Sequence, residues 1–141
     1  MQNKIFADSN IWLYALMEGD SAKKSIAGGI ILRKNVVISV QVVNEISVNL
    51  IKKANYTDKE ILVLLKNLKE KYVISGLNYR NLTQSAEIRI RYKLSFWDSL
   101  IISSALQNSC DILYTEDLHQ GLIIENTLKV VNPFDKVVNL P

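Results

Sequence analysis

Short apolar segments alternate with longer segments of helical periodicity along the chain, and this alternation constrains the fold more than any other feature. The apolar segments have the length of strands and span residues 4–7, 36–39, 72–75, 111–115 and 128–131. Between them, apolar residues recur every three or four positions, as in Gln41–Lys53 and Thr57–Lys71. Strands separated by helices require crossover connections, which produce a parallel sheet with helices on both faces. The sequence therefore predicts the α/β class, a three-layer α/β/α architecture and a mainly parallel central sheet of about four to five strands.

Composition predicts one globular domain over residues 1–141 and limits the kinds of metal site available. The chain is 48% hydrophobic and 22% charged, and no linker or repeat divides it. It has a single cysteine, Cys110, and a single histidine, which excludes an intrachain disulfide and a zinc site of four Cys or His ligands. Any metal must therefore be bound by oxygen atoms. The net charge of +3 permits contact with nucleic acid without arguing for it.

No apolar stretch approaches the length of a membrane span. The longest, such as 100–102, are far shorter than the roughly 20 residues that a spanning helix needs. Asp8 interrupts the N-terminal region before an apolar signal segment forms. We therefore expect a cytoplasmic protein that does not contact a membrane.

Acidic residues follow or closely flank several of the predicted strands. Asp8 ends the first strand, and Asp117 lies two residues beyond Thr115 at the end of the fourth. Glu45 lies in the helix after the second strand, and Asp98 opens the helix before the fourth. Ligands of such sheets bind outside the carboxyl ends of the strands, so we expect the four carboxylates to converge there.

Converging carboxylates stay ionised together only when a cation lies between them. Mg²⁺ and Mn²⁺ prefer oxygen ligands and keep several waters, so they suit one to four carboxylates. The chemistry that such a site favours is metal-assisted hydrolysis at phosphorus.

Each acid also has a structural interpretation. Asp8 and Asp98 fit helix starts, Glu45 fits a solvated helix surface, and Asp117 fits a turn. A phosphatase with a nucleophilic aspartate expects a second acid two residues later, where this chain has Asn10. A phospho-acceptor receiver expects paired acids after the first strand, which are absent here. A binding module that does not cut its ligand stays open.

Four segments together resemble the successive motifs of the PIN-domain nucleases. They are IFADSN at 5–10, ISVQVVNE at 38–45, SFWDSLII at 95–102 and LYTEDL at 113–118. The segment VVNPF at 130–134 resembles the closing strand of the VapC-type toxin branch of this family. The resemblance covers essentially the whole chain, in order, and implies a PIN-like, Rossmann-like fold.

The resemblance implies a Mg²⁺- or Mn²⁺-dependent endoribonuclease and assigns roles to individual residues. The metal-binding and catalytic acids are Asp8, Glu45, Asp98 and Asp117, with Glu116 as the alternative to Asp117; the supporting residues are Asn10, Thr115 and, as a weaker match, Gln41. The implied partners are an RNA substrate, a cognate antitoxin of a type II toxin–antitoxin pair and a second copy of the chain, in a homodimer formed through helices of the N-terminal half.

Three basic residues just before the Asp98 segment are candidates for contact with RNA phosphates. Arg89, Arg91 and Lys93 would meet the substrate at the edge of the acidic site and make its affinity sensitive to salt. A solvated helix face explains them equally well. His119 is interpreted as a polar loop residue rather than a general acid.

Overall fold

The computed structural model describes residues 3–118 and 120–135. His119 lies outside the described residues. The elements in chain order are β1 (Ile5–Ala7), α1 (Ser9–Leu16), α2 (Ser21–Ile31), β2 (Val36–Ser39), α3 (Val40–Ala54), α4 (Asp58–Lys71), β3 (Val73–Ser75), α5 (Tyr79–Tyr92), α6 (Phe96–Gln107), β4 (Ile112–Tyr114), β5 (Ile123–Ile124) and β6 (Leu128–Val131).

Within the described ranges, the strands form one sheet of six in the order β3-β2-β1-β4-β6-β5. Every neighbouring pair is parallel except β5 with β6. The predicted mainly parallel sheet is confirmed, and each of the five predicted strands is present. The short edge strand β5 was not predicted, because two apolar residues in a loop carry no detectable periodicity.

The chain order of the strands fixes which face of the sheet each helix covers. The first three strands are placed successively toward one edge of the sheet, in the order β1, β2 and β3. The chain then returns past β1 and adds β4 on its other side. Right-handed crossovers therefore put α1 to α4 on one face and α5 with α6 on the opposite face. The packing agrees, since α1 contacts α2 and α3, while α5 contacts α6. This arrangement is the predicted three-layer α/β/α architecture.

The central strands are buried because helices cover both of their faces. All residues of β1, β2 and β4 are buried, which explains why these segments are apolar without alternation. α4 begins with a capping box formed between Thr57 and Glu60. None of the helices in the described part of the chain is both long and apolar enough to cross a membrane.

β1 and β4 are neighbours that end at the same level, because Ala7 pairs with Tyr114. The residues that follow them, Asp8 and Thr115, therefore leave the sheet side by side. The chain continues from β1 toward β2 on one side, whereas β4 lies on the other. This is the point of an open parallel sheet at which the crossovers diverge and leave a crevice for ligands.

Candidate functional site

Asp8 is the buried acid at the centre of this crevice, with only 5% of its surface exposed. The backbone N–H of Ser9 donates to Oδ1 at 2.7 Å, and the hydroxyl of Thr115 donates to Oδ2 at 2.9 Å. Asp8 is also the N-cap of α1, so the structural interpretation of this residue is correct as well. The capping role and the place at the crevice therefore belong to the same side chain.

The environment of Asp8 makes its ionised form costly. The pKa of the carboxyl is raised from 3.8 to about 6, chiefly by burial and in smaller part by the nearby charges of Glu45 and Asp117. The hydrogen bonds from Ser9 and Thr115 act in the opposite direction and favour the ionised form. The raised value indicates a carboxylate whose charge is only partly compensated within the protein.

Thr115 connects Asp8 to Asp117. Its Oγ1 accepts hydrogen bonds from the backbone N–H of Asp117 at 3.2 Å and from the Asn10 side chain at 3.3 Å, while its hydroxyl donates to Asp8. The same Asn10 amide donates to Asp117 Oδ2 at 2.9 Å. The structure thus brings Asp8, Asn10, Thr115 and Asp117 into one hydrogen-bonded network.

Gln41 and Glu45 approach the crevice from α3, which begins directly after β2. Gln41 is buried, and its amide donates to Glu45 Oε1 at 3.4 Å and to the main-chain carbonyl of Trp97 at 3.3 Å. The i, i+4 spacing of a helix places the two side chains together. Gln41 therefore links the acid on α3 to the first turn of α6.

Asp98 lies in that first turn, where its backbone N–H donates to the N-cap Ser95 Oγ at 3.2 Å. It is half-buried at the same edge of the sheet. Its charge is not among the causes of the raised Asp8 pKa, in contrast to Glu45 and Asp117. Asp98 is thus attached to the site through the Gln41–Trp97 contact rather than through Asp8.

We call Asp8, Glu45, Asp98 and Asp117 the acidic rim. Over residues 3–118 and 120–135, no three acidic, histidine or cysteine side chains are gathered tightly enough to hold a metal ion. Mg²⁺ does not require such a cage, because it usually binds one or two carboxylates and keeps several waters. Uncompensated carboxylates also repel one another, which opposes tighter clustering in the free chain.

Two unsatisfied acceptors fit a hydrated cation at the acidic rim. Asn10 Oδ1 and Gln41 Oε1 are buried and receive no hydrogen bond from any residue that the structure describes. Buried acceptors normally have partners, and leaving one without costs free energy. Water molecules around a cation are donors that could supply them. Carboxylates with two adjacent free carbonyl oxygens form an all-oxygen donor set that suits Mg²⁺ or Mn²⁺.

The Glu116 side chain contacts different residues from those that the neighbouring Asp117 side chain contacts. Its carboxylate accepts a hydrogen bond from the Tyr14 hydroxyl at 2.5 Å and forms an ion pair with Lys23 Nζ at 2.9 Å. The bond to Glu116 raises the pKa of Tyr14, and the same carboxylate raises the pKa of Lys23. Of the two neighbouring acids, the structure places Asp117 against Asn10 and Glu116 against α1 and α2.

The three basic candidates have different surroundings. Arg91 forms an ion pair with Glu125, so its charge is already partnered. Arg89 stacks over the ring of Phe96, with Cζ 4.5 Å from the ring centroid. Lys93 is exposed and ends α5 in a left-handed conformation. Arg89 and Lys93 therefore remain better placed than Arg91 to contact a ligand.

Comparison with known proteins places the fold. The family model described as PIN domain matches residues 5–123. Among solved structures, a toxin–antitoxin complex from Klebsiella pneumoniae aligns with a TM-score of 0.69 and 21% identity over 93% of this chain and 98% of its own. VapC20 from Mycobacterium tuberculosis, a sarcin–ricin loop cleaving toxin, aligns with a TM-score of 0.65 and 17% identity over 80% and 91%. FitAcB from Neisseria gonorrhoeae aligns with a TM-score of 0.64 and 20% identity over 92% and 97%. A search of the curated proteins finds no significant match.

Proposed function

The chain belongs to the PIN-domain family, and from this premise we propose that it is a Mg²⁺- or Mn²⁺-dependent endoribonuclease that acts as the toxin of a type II toxin–antitoxin pair. The observation that carries the nuclease proposal is the buried Asp8, whose pKa of about 6 reflects a charge that the protein compensates only in part. A bound cation would compensate it. The family and the position of the site at the crevice of the sheet support the same reading.

We assign the acidic rim as the metal-binding and catalytic set. When bound, Mg²⁺ or Mn²⁺ supplies polarisation of a phosphoryl oxygen and acidification of a water molecule. Asp8 supplies a desolvated negative charge, and Thr115 fixes its orientation through Oδ2. Asn10 holds Asp117 at the edge of the site.

The water that attacks phosphorus must lose a proton, and a carboxylate of the rim can accept it. We assign this role to Glu45, because the Gln41 amide orients one of its oxygens. No histidine is required for this step. Asp98 completes the set from the first turn of α6.

Cleavage assays with the pure protein test the nuclease. We expect single-stranded RNA to be cut with Mg²⁺ or Mn²⁺ and to stay intact with chelator or with Asp8→Asn. Asp111→Asn is the matched control, because it removes an exposed carboxylate that caps the N–H of Lys4 at the opposite end of the sheet. Cleavage that persists in chelator, or in Asp8→Asn, contradicts the proposal.

We further propose a cytoplasmic protein that binds a cognate antitoxin and pairs with a second copy of itself. The fold neighbour from Klebsiella pneumoniae is a toxin–antitoxin complex, which supports an antitoxin partner. Apolar side chains are exposed along α3 and α4 and would be covered by a protein partner; they are Val48, Ile51, Leu62, Val63 and Leu65. We assign the whole of residues 1–141 to a single domain.

Expression in a bacterial host tests the toxin role. Growth should stop when the parent is made, continue when Asp8→Asn is made at the same level, and recover when the adjacent small gene is co-expressed. Normal growth in the presence of soluble, active parent protein contradicts the toxin role while leaving the nuclease intact. The mass of the purified protein in solution separates a homodimer from a monomer.

A further inference from the structure

Two aromatic side chains at the start of α6 are exposed to solvent. Phe96 is 45% exposed and Trp97 is 64% exposed. Their rings contact each other edge to face, with centroids 5.3 Å apart. The other tryptophan, Trp12, is buried and donates its indole N–H to the carbonyl of Ala7. We call Phe96 and Trp97 the ring platform; core packing does not explain it.

The ring platform adjoins the acidic rim. Trp97 immediately precedes Asp98, and its main-chain carbonyl accepts the hydrogen bond from Gln41. Gln41 in turn donates to Glu45. The Trp97 ring therefore leaves α6 one residue before Asp98, at the end of the helix that Gln41 joins to Glu45.

Arg89 fixes one side of the platform and brings positive charge to it. Its guanidinium lies over Phe96 at 4.5 Å from the ring centroid. One nitrogen of the guanidinium, Nη1, is buried and has no acceptor among the residues that the structure describes. An unsatisfied N–H of this kind favours a ligand that carries acceptor oxygens. Lys93, which is exposed, adds a second positive charge four residues later in the chain.

Exposed aromatic rings interleaved with cations are the arrangement that proteins use for single-stranded nucleic acids. Bases stack on the rings, and the cations follow the phosphates. Stacking on the neighbouring base pairs of a duplex keeps the faces of the bases inaccessible, so such a platform selects unpaired nucleotides. The aromatic rings distinguish the platform from the exposed surfaces of α3 and α4, whose apolar side chains are all aliphatic.

We propose that the ring platform stacks an unpaired base of single-stranded RNA next to the phosphate at the acidic rim, and that Arg89 contacts an adjoining phosphate. The inference rests on the proposed nuclease function and specifies its substrate. Trp97 and Arg89 act as substrate-binding residues, and Phe96, which contacts both side chains, holds them in place.

Tryptophan fluorescence measures this contact directly in the unaltered protein. Titration with a short oligouridylate, in chelator and at low salt, should quench the emission of the exposed Trp97 and leave that of the buried Trp12. An abasic oligomer of the same length carries the same phosphates without bases and should quench little. Equal quenching by both oligomers, or no saturable quenching by either, overturns the proposal.

Variants quantify the contribution of the stack. Trp97→Ala should weaken oligouridylate binding by about 5- to 150-fold, the range that base–aromatic stacking supports, while Trp97→Phe should retain most of the affinity. Tyr79→Ala is the control, because Tyr79 is 78% exposed and lies at the other end of α5. Unchanged binding by Trp97→Ala overturns the proposal. The rings would then be a contact surface for a protein partner, and co-purification of the parent and the variant with the antitoxin would reveal such a contact.

The experiments distinguish a failure of the ring-platform proposal from a failure of the proposed nuclease function. If the parent cuts RNA and Trp97→Ala cuts it with the same KM, the platform is refuted and the nuclease stands. If the parent binds oligouridylate through Trp97 without cutting it in Mg²⁺ or Mn²⁺, the platform is supported and the nuclease is refuted. If both hold, Trp97→Ala should raise KM more than it lowers kcat.

Discussion

Replacing Asp8 by asparagine should stabilise the metal-free protein at neutral pH and not at acidic pH. Asp8 is 5% exposed, and burial raises its pKa from 3.8 to about 6. Because the folded protein holds this proton more tightly than the unfolded chain, the carboxyl destabilises the fold above its unfolded pKa. The penalty is present at pH 7 and disappears as the pH falls below about 4.

The magnitude follows from the two pKa values. One pKa unit corresponds to about 1.4 kcal/mol, so the ionised carboxylate costs the fold about 3 kcal/mol at pH 7. Asparagine removes this charge, but Ser9 and Thr115 donate to different oxygens of the carboxylate, and the asparagine has an NH2 group in place of one of them. The lost hydrogen bond costs about 1 kcal/mol at every pH. The expected net gain is about 2 kcal/mol at pH 7, against no gain at about pH 4.

Urea unfolding of the parent and Asp8→Asn in chelator, at both pH values, measures this change. At each pH, the free energy of unfolding of the parent is subtracted from that of Asp8→Asn. This difference should change by about 2 to 3 kcal/mol between the two pH values. Asp111→Asn serves as the control for removal of a carboxylate elsewhere. Excess Mg²⁺ should stabilise the parent more than Asp8→Asn. A stability difference that is the same at both pH values would refute the argument that burial strains the Asp8 carboxylate.

Four further substitutions test other parts of the site. Asp98→Asn should abolish cleavage and leave the metal-free protein at least as stable as the parent. It should also reduce the rise in Tm that Mg²⁺ produces. Full activity together with an unchanged Mg²⁺-induced rise in Tm excludes Asp98 as a metal ligand. Cleavage assays should show that Asp117→Asn loses activity and that Glu116→Gln retains it, because the Glu116 carboxylate is paired with Lys23. The reverse result would assign the metal-binding role to Glu116 instead of Asp117. Thr115→Val removes the hydroxyl that lowers the pKa of Asp8, so the acidic limb of the pH–rate profile should move to higher pH. The free energy of unfolding should fall by about 1 to 3 kcal/mol. An acidic limb that does not move would show that the ionisation of Asp8 does not control the rate.

The elements of the fold were predictable because burial on both faces leaves a strong pattern. The residues of β2 are all buried, and its sequence is apolar almost throughout, so its position is visible without a structure. Helix starts were less visible. α5 begins at Tyr79, where Asn78 and Asn81 form a capping box, and asparagine at both positions is a weak signal in the sequence.

The acids of the site were predictable from their places at strand ends, but their partners were not. Nothing near Glu116 in the sequence indicates that it pairs with Lys23, which lies 93 positions away. Lys23 reads as ordinary surface charge, and Tyr14 as a packing residue of the first helix. The distinction between Glu116 and Asp117 depends on the direction in which each side chain leaves the turn, and the sequence does not encode this direction locally.

The distance in sequence between Asp8 and Thr115, 107 positions, also bears on how the protein is made. β1 is synthesised first, but it stays without one of its two neighbours until β4 follows α6 out of the ribosome. A nascent or truncated chain that stops at the end of α6 contains Asp8, Glu45 and Asp98, yet it lacks both the hydroxyl that orients Asp8 and the carboxylate of Asp117. The complete rim therefore forms only after β4 has been made, when the exposed apolar side chains of α3 and α4 that a binding partner could cover have already been synthesised.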